Sequence, residues 1–120
     1  MKNKDIAINF LSMASSGKVV EAYEKFVHKN FKHHLMYFKG DRESFMNAML
    51  DNSKQFPNKV YQALRAIEED NLVVVHGKVI LDSRVFGVIH IFRFEERMII
   101  ESWEASQEEL KDSQNENGLF

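Results

Sequence analysis

The chain has no cysteine, which excludes disulfides, thiolate nucleophiles and zinc–thiolate sites together and fits a reducing compartment. Proline occurs once, at Pro57, and no glycine-rich loop joins a strand to a helix, so a dinucleotide fingerprint or a phosphate-binding loop has no support. There is no excess of either charge. Sixteen Lys plus Arg stand against eighteen Asp plus Glu, a formal −2, with nothing to grip a phosphate backbone; nucleic acid is not an expected partner. No run approaches the roughly 20 apolar residues of a membrane-spanning helix, and no membrane association is expected. Asp5, Asn9 and Ser12 interrupt what would have to be an apolar signal core after Lys2 and Lys4, so the expected location is cytoplasmic.

What is present is aromatic. Ten Phe, three Tyr and one Trp make up 12% of 120 residues, enough to line a core or a pocket. At this length, with 44% hydrophobic and 28% charged residues, the expectation is a single domain spanning 1–120.

Ile6, Phe10, Met13 and Ala14 recur at helical spacing before Gly17, and Val19, Ala22, Tyr23 and Phe26 mark a second short helix. A short strand or extended entry around Phe31 to Leu35 follows. Asp41 can cap a third helix along Phe45, Met49, Asn52 and Phe56, and Pro57 ends it. Four β-branched or aromatic runs then follow, Val60 to Ile67, Leu72 to Leu81, Val85 to Phe94 and Met98 to Gln107, separated by polar turns. Three helices followed by hairpin-linked strands describe an α+β domain with an antiparallel meander.

Register decides which side chains meet. A two-residue turn at Glu96 and Arg97 places Phe94 opposite Ile99, Phe92 opposite Glu101 and His90 opposite Trp103. A turn at Glu95 and Glu96 sets His90 against Glu101 and keeps Trp103 on that face. A three-residue loop would instead pair His90 with Ser102 and send Glu101 and Trp103 to the far side. The two-residue turn is the expectation. For the preceding hairpin the expectation is a three-residue loop of Asp82, Ser83 and Arg84, which puts His76 opposite His90; a two-residue loop puts it on the other face. Both faces of the sheet are largely apolar and helices can cover only one, so a homodimer through the sheet is expected.

Several segments together resemble a known family. Lys25-Phe26-Val27, Phe31-Lys32-His33-His34 and Gly40-Asp41-Arg42-Glu43-Ser44-Phe45 are similar to the early part of SnoaL-like proteins. Glu69 to His76, Ile91-Phe92-Arg93-Phe94-Glu95, Ile99-Ile100-Glu101-Ser102-Trp103-Glu104 and the closing Asn117-Gly118-Leu119-Phe120 follow that family's order nearly end to end. The resemblance, to the SnoaL-like polyketide cyclases of the nuclear-transport-factor-two-like superfamily, implies a cone: a strongly curved antiparallel sheet packed on three N-terminal helices, enclosing a deep apolar pocket and usually dimeric through the sheet. It implies the container and not the reaction. His90 stands where many relatives have Asp, and Ser102 and Glu104 stand where they have His and Asp around the Trp, so catalysis by an Asp at the His90 position does not carry over. His34 and Trp103 match the pattern.

Closing a ring or isomerising a carbonyl compound needs a base and a donor for the enolate oxygen in a water-poor cavity. His34, favoured over His33 by the resemblance, and His90, with Glu101 to orient it, are the candidate proton-transfer groups; each has a structural role as its alternative. Trp103, Phe92, Phe45, Met49, His76 and Tyr23 are the candidate ligand-binding residues, and all are core or interface residues on the plainer reading. His28 and His33 are expected in solvent. Met36, Tyr37 and Phe38 are placed at the pocket mouth. No metal is expected, because adjacent His33 and His34 cannot easily share one ion, and no organic cofactor. The expected partner is a small apolar or amphipathic molecule, bound by an acid/base enzyme of the cyclase or isomerase type. The alternatives are a non-catalytic binding protein and a protein-interaction module of the same shape.

Overall fold

A computed structural model describes all 120 residues. Helices α1 (Asn3–Ser15) and α2 (Val19–Phe26) lead into strand β1 (Val27–His33), and helix α3 (Arg42–Gln55) is followed by β2 (Val60–Glu69), β3 (Leu72–Leu81), β4 (Arg84–Glu95) and β5 (Met98–Glu108). The apolar stripes act as spaced: Ile6, Phe10, Leu11 and Ala14 of α1 and Val19, Ala22, Tyr23 and Phe26 of α2 are all buried. Gly17 separates the two helices at φ 91°, a left-handed conformation that glycine adopts without steric cost. Asp41 caps α3 by accepting the Ser44 N–H at 3.1 Å, and the helix ends two residues before Pro57.

The four expected strands fall within two residues of their expected ends, but the sheet is mixed, not an antiparallel meander. Its order is β1-β5-β4-β3-β2, with β1 added at the edge parallel to β5. No hairpin ties β1 to β5, so turn geometry does not force their directions to oppose. Nor is the sheet strongly curled, as the cone would require. Its antiparallel pairs are interrupted at only two points, between Ala63 and Arg65 and between Arg93 and Phe94, and such bulges are where strands bend.

The second of these overturns the expected facing. The turn is Glu96-Arg97, both residues at positive φ (51° and 65°), and Glu95 pairs with Met98 and Phe94 with Ile99 as counted. Ile100 then drops out of the ladder, so Arg93 opposes Glu101, Phe92 opposes Ser102, Ile91 opposes Trp103 and His90 opposes Glu104 rather than Trp103. An unbulged strand would have set the Glu101 carboxylate against Phe92 in the core, at the cost of burying an unpaired charge. The bulge keeps Ile99 fully buried and delivers Glu101 to Arg93, whose Nε donates to Oε1 at 2.9 Å.

The β3–β4 hairpin also differs from expectation. Leu81 pairs with Arg84 across a two-residue turn with Asp82 at φ 55°, a conformation Asp tolerates. His76 therefore pairs with Ile89, on the face opposite His90. The inner face carries Val73, Val75, Phe92, Phe94 and Ile99, packed on α1 and α2, with Phe10 edge-on to both Tyr23 and Phe92 at 5.5 and 5.9 Å. On the outer face Ile67, Leu72 and Ile89 are exposed, and the chain end lies across it. Leu119 sits where a Cβ on Gly87 would come within 3.2 Å, and Phe120 stacks on His76.

Candidate functional site

Helix α3 packs on α2 and β1 rather than on the body of the sheet, and none of its residues is fully buried. Between it and the inner face lies a cleft of about 290 Å³. Its walls are mainly apolar: Phe45, Ala48 and Met49 on the helix side, and Val79, Leu81, Phe86 and Val88 on the sheet side. Leu35 and Phe38 border it. Polar residues interrupt this lining: Ser15 from the end of α1, Asn52 and Lys59 from the end of α3 and the lead-in to β2, and Tyr61, His90, Glu104 and Ser106 from the sheet.

His90 and Glu104 are cross-strand partners on the inner face, with Nε2 3.3 Å from Oε1. Burial pushes the Glu104 carboxyl up, but the neighbouring His90 imidazole, with Lys59 and His33 beyond, holds it below its ordinary value. An ionised carboxylate beside Nε2 favours the tautomer with its proton there, which leaves a bare lone pair on Nδ1. That Nδ1 is buried and has no partner. The Tyr61 hydroxyl is likewise buried without a partner, its ring edge-on to His90 at 6.4 Å. Burial, reinforced by the Glu104 charge, pushes the Tyr61 phenol up to about 12, so it remains a proton donor at neutral pH. Two buried polar atoms without partners, bordering an apolar cleft, are what a ligand's polar group would satisfy.

The residues singled out in the sequence divide between the two faces. Phe45, Met49 and His90 line the cleft. Phe92 and Tyr23 lie in the core behind it; Phe92 stacks on His90 at 5.7 Å, and the Tyr23 hydroxyl donates to Met49 Sδ at 3.2 Å. Burial raises the Tyr23 phenol well above its ordinary value. His34, Glu101 and Trp103 gather outside. His34 Nε2 is 2.6 Å from Glu101 Oε2, and its ring stacks on Trp103 at 5.0 Å with the planes 3° apart. Glu101, 8% exposed, also takes the Arg93 bond, with Lys32 at 3.8 Å. The His34 bond, opposed by burial and aided by Arg93 and Lys32, lowers the Glu101 carboxyl. Glu101 therefore cannot orient His90, and His34 cannot share a substrate with it. His76 is on this outer side too, bonded to Arg65 across the β2–β3 pair.

His33 rather than His34 turns inward. It is 6% exposed, not solvated as expected, because β1 pairs it with buried Ser102 and packs its ring on Phe45 at 4.2 Å. Its Nδ1 accepts the Leu35 N–H at 3.1 Å and its Nε2 donates to the Lys39 carbonyl at 2.7 Å. Both ring nitrogens are occupied in holding the segment that carries Leu35 and Phe38, and neither is free for chemistry. Met36 and Tyr37, 88% and 83% exposed, form the tip of that segment.

Glu104, Tyr61 and Lys59 are the ionisable cleft residues that sequence reasoning missed. Glu104 was hidden by the bulge. Tyr61 had a signal: glycine inside a strand marks a close approach, and a Cβ on Gly77 would lie 2.5 Å from the Tyr61 hydroxyl. Lys59, next to the Pro57 break, carried none.

No family model matches the sequence. No curated protein matches it either. Solved structures do match in shape. A nuclear-transport-factor-two-like protein of unknown function from Cytophaga hutchinsonii superposes with a TM-score of 0.72 at 17% identity, covering 89% of this chain and 91% of that one. A protein from Bacillus cereus provisionally named a polyketide cyclase gives 0.73 at 19%, covering 85% and 72%. IdmH from Streptomyces antibioticus, provisionally named in the same way, gives 0.72 at 15%, covering 89% and 93%. At these identities the shared property is architecture, and the chain has the nuclear-transport-factor-two-like fold.

Proposed function

We propose that this protein is a cofactor-independent acid/base enzyme acting on a small, mainly apolar molecule that carries a carbonyl group, with the α3–sheet cleft as its active site. The observation that carries the reading is the pair of buried, unpartnered atoms, His90 Nδ1 and the Tyr61 hydroxyl, beside a carboxylate that holds the other imidazole nitrogen. In this reading the His90 Nδ1 lone pair removes the proton α to the carbonyl, and the Tyr61 hydroxyl donates to the oxygen as it becomes an enolate. Glu104 is a positioning residue: it sets the tautomer and stabilises the imidazolium. The enolate then attacks a second carbonyl of the substrate, as in an aldol ring closure, or is reprotonated at another carbon, as in an isomerisation. The architecture shared with two proteins provisionally named polyketide cyclases is consistent with the first.

The test is exchange of α-protons for deuterium in small aryl and alicyclic ketones, followed by NMR. The wild type is expected to accelerate exchange, with His90→Gln slower by about 10²–10⁴-fold and Tyr61→Phe by about 10²–10³-fold. Equal rates in all three proteins would leave a binding protein of the same shape. The assembly we propose is a homodimer through the outer face, supported by exposed Ile67, Leu72 and Ile89 on a sheet that the helices cover from one side only.

A further inference from the structure

We propose that the cleft selects an acid: a molecule whose carbonyl reaches His90 and Tyr61 and whose carboxylate pairs with Lys59. The inference rests on the cleft being the substrate site and adds the chemistry of the substrate's second polar group. Lys59 lies in the cleft lining, and its ammonium makes one contact, to the Asn52 side-chain oxygen. It belongs to none of the molecule's ion pairs. An ammonium carries three donors, so this leaves two unused in a partly dry, mainly apolar space. Burial lowers the Lys59 ammonium, partly offset by Glu104, which agrees with a cation short of a contacting counter-charge.

The two polar stations come from different parts of the fold. Tyr61 and His90 stand on the sheet wall, whereas Lys59 and Asn52 stand where α3 ends and the chain turns toward β2. A ligand bridging them has an acceptor oxygen for Tyr61 and a negative charge for Lys59. A single ammonium, in a cleft lined by no arginine, suits a carboxylate better than a phosphate, which recruits more donors. The C-terminal end of α3 also attracts a cation, and that is the competing role for Lys59.

Three probes separate these roles in titration calorimetry on the full chain: benzoylpropionate, its methyl ester, and phenylbutyrate, which keeps the charge and lacks the ketone. The acid is expected to bind roughly ten- to a hundredfold more tightly than its ester. Lys59→Met should erase that preference by weakening the acid alone. An ester that binds the wild type as tightly as the acid overturns the carboxylate assignment while leaving the carbonyl site standing. Phenylbutyrate matching benzoylpropionate strikes instead at the carbonyl site of the proposed function. A methionine variant that loses thermal stability yet keeps the full preference for acid assigns Lys59 to the helix end and overturns the proposal. Failure of all three probes to bind at millimolar concentration overturns both readings.

Discussion

Gly77→Ala tests the construction of the cleft at its tightest point. Tyr61 pairs with Val79 and leans its ring across Gly77, so a methyl there would lie 2.5 Å from the hydroxyl oxygen and 2.6 and 2.7 Å from two ring carbons. Those separations are well inside van der Waals contact, and the ring must swing away. Overpacking of this kind costs about 1–3 kcal/mol. Alanine in a strand offsets this by about 0.5–1 kcal/mol, because it gives up less backbone entropy on folding than glycine. Taken at mid-range, the two leave a net loss of about 1 kcal/mol, within an outer range of about 0–2.5 kcal/mol. With an unfolding entropy of roughly 2.1 cal/mol/K per residue, the mid-range loss lowers Tm by about 5 °C in calorimetry. In a Tyr61→Ala background the clash is gone, and the same substitution should become neutral or stabilising, so the two changes couple in a double-mutant cycle. The displaced hydroxyl should also slow ketone α-exchange nearly as much as Tyr61→Phe. An unchanged or raised Tm in the wild-type background, with no coupling to Tyr61, would refute the packing on which the donor role of Tyr61 depends.

Three further outcomes are expected. Glu101→Ala should cost about 1–2 kcal/mol at pH 7 in denaturant titrations, because His34, Arg93 and Lys32 lose their shared carboxylate. The Glu101 pKa is depressed in the folded chain, so its contribution is present above its ordinary value of 4.5 and disappears as pH falls through the lower folded value; the variant and wild type should converge in acid. His33→Phe should lower stability by about 1–3 kcal/mol by leaving the Leu35 N–H and Lys39 carbonyl unpaired, and amide exchange should rise across residues 34–40; unchanged protection there would sink the brace assigned to His33. If the proposed outer-face dimer forms, the wild type should sediment as a dimer and Ile89→Glu as a monomer with ketone exchange intact; a monomeric wild type would refute that assembly.

The periodicity of the sequence was sufficient for the elements and insufficient for the site. The α1 and α2 stripes, the Asp41 cap, the Pro57 break and the four long strands were legible because each depends on neighbours in sequence. The Glu96-Arg97 turn was legible as well, yet the pairing five residues away was not, since one bulged residue reverses every later side chain. The physical clue was available in Arg93 and Glu101, two opposite charges that a straight ladder would have separated and one of which it would have buried. His33 and His34 exchanged expected places for the same reason: their facing is set by β1 joining β5, a contact between segments some 70 residues apart that no local pattern encodes. Phe45 and Met49 were legible as cleft residues because α3 presents one side to it, whereas Lys59 depends on how the chain leaves that helix.

The extra residue in β5 gives that strand slack at a single address. Removing one residue between Ser102 and Glu108 would trade inside for outside from the cut onward or draw the strand end inward. Removing Ile100 would only take out the kink, with Phe94 still facing Ile99, Arg93 still facing Glu101 and His90 still facing Glu104. Chain length in this strand can therefore drift at that position without moving the imidazole–carboxylate pair, whereas losing Ser102 or Trp103 would dismantle it.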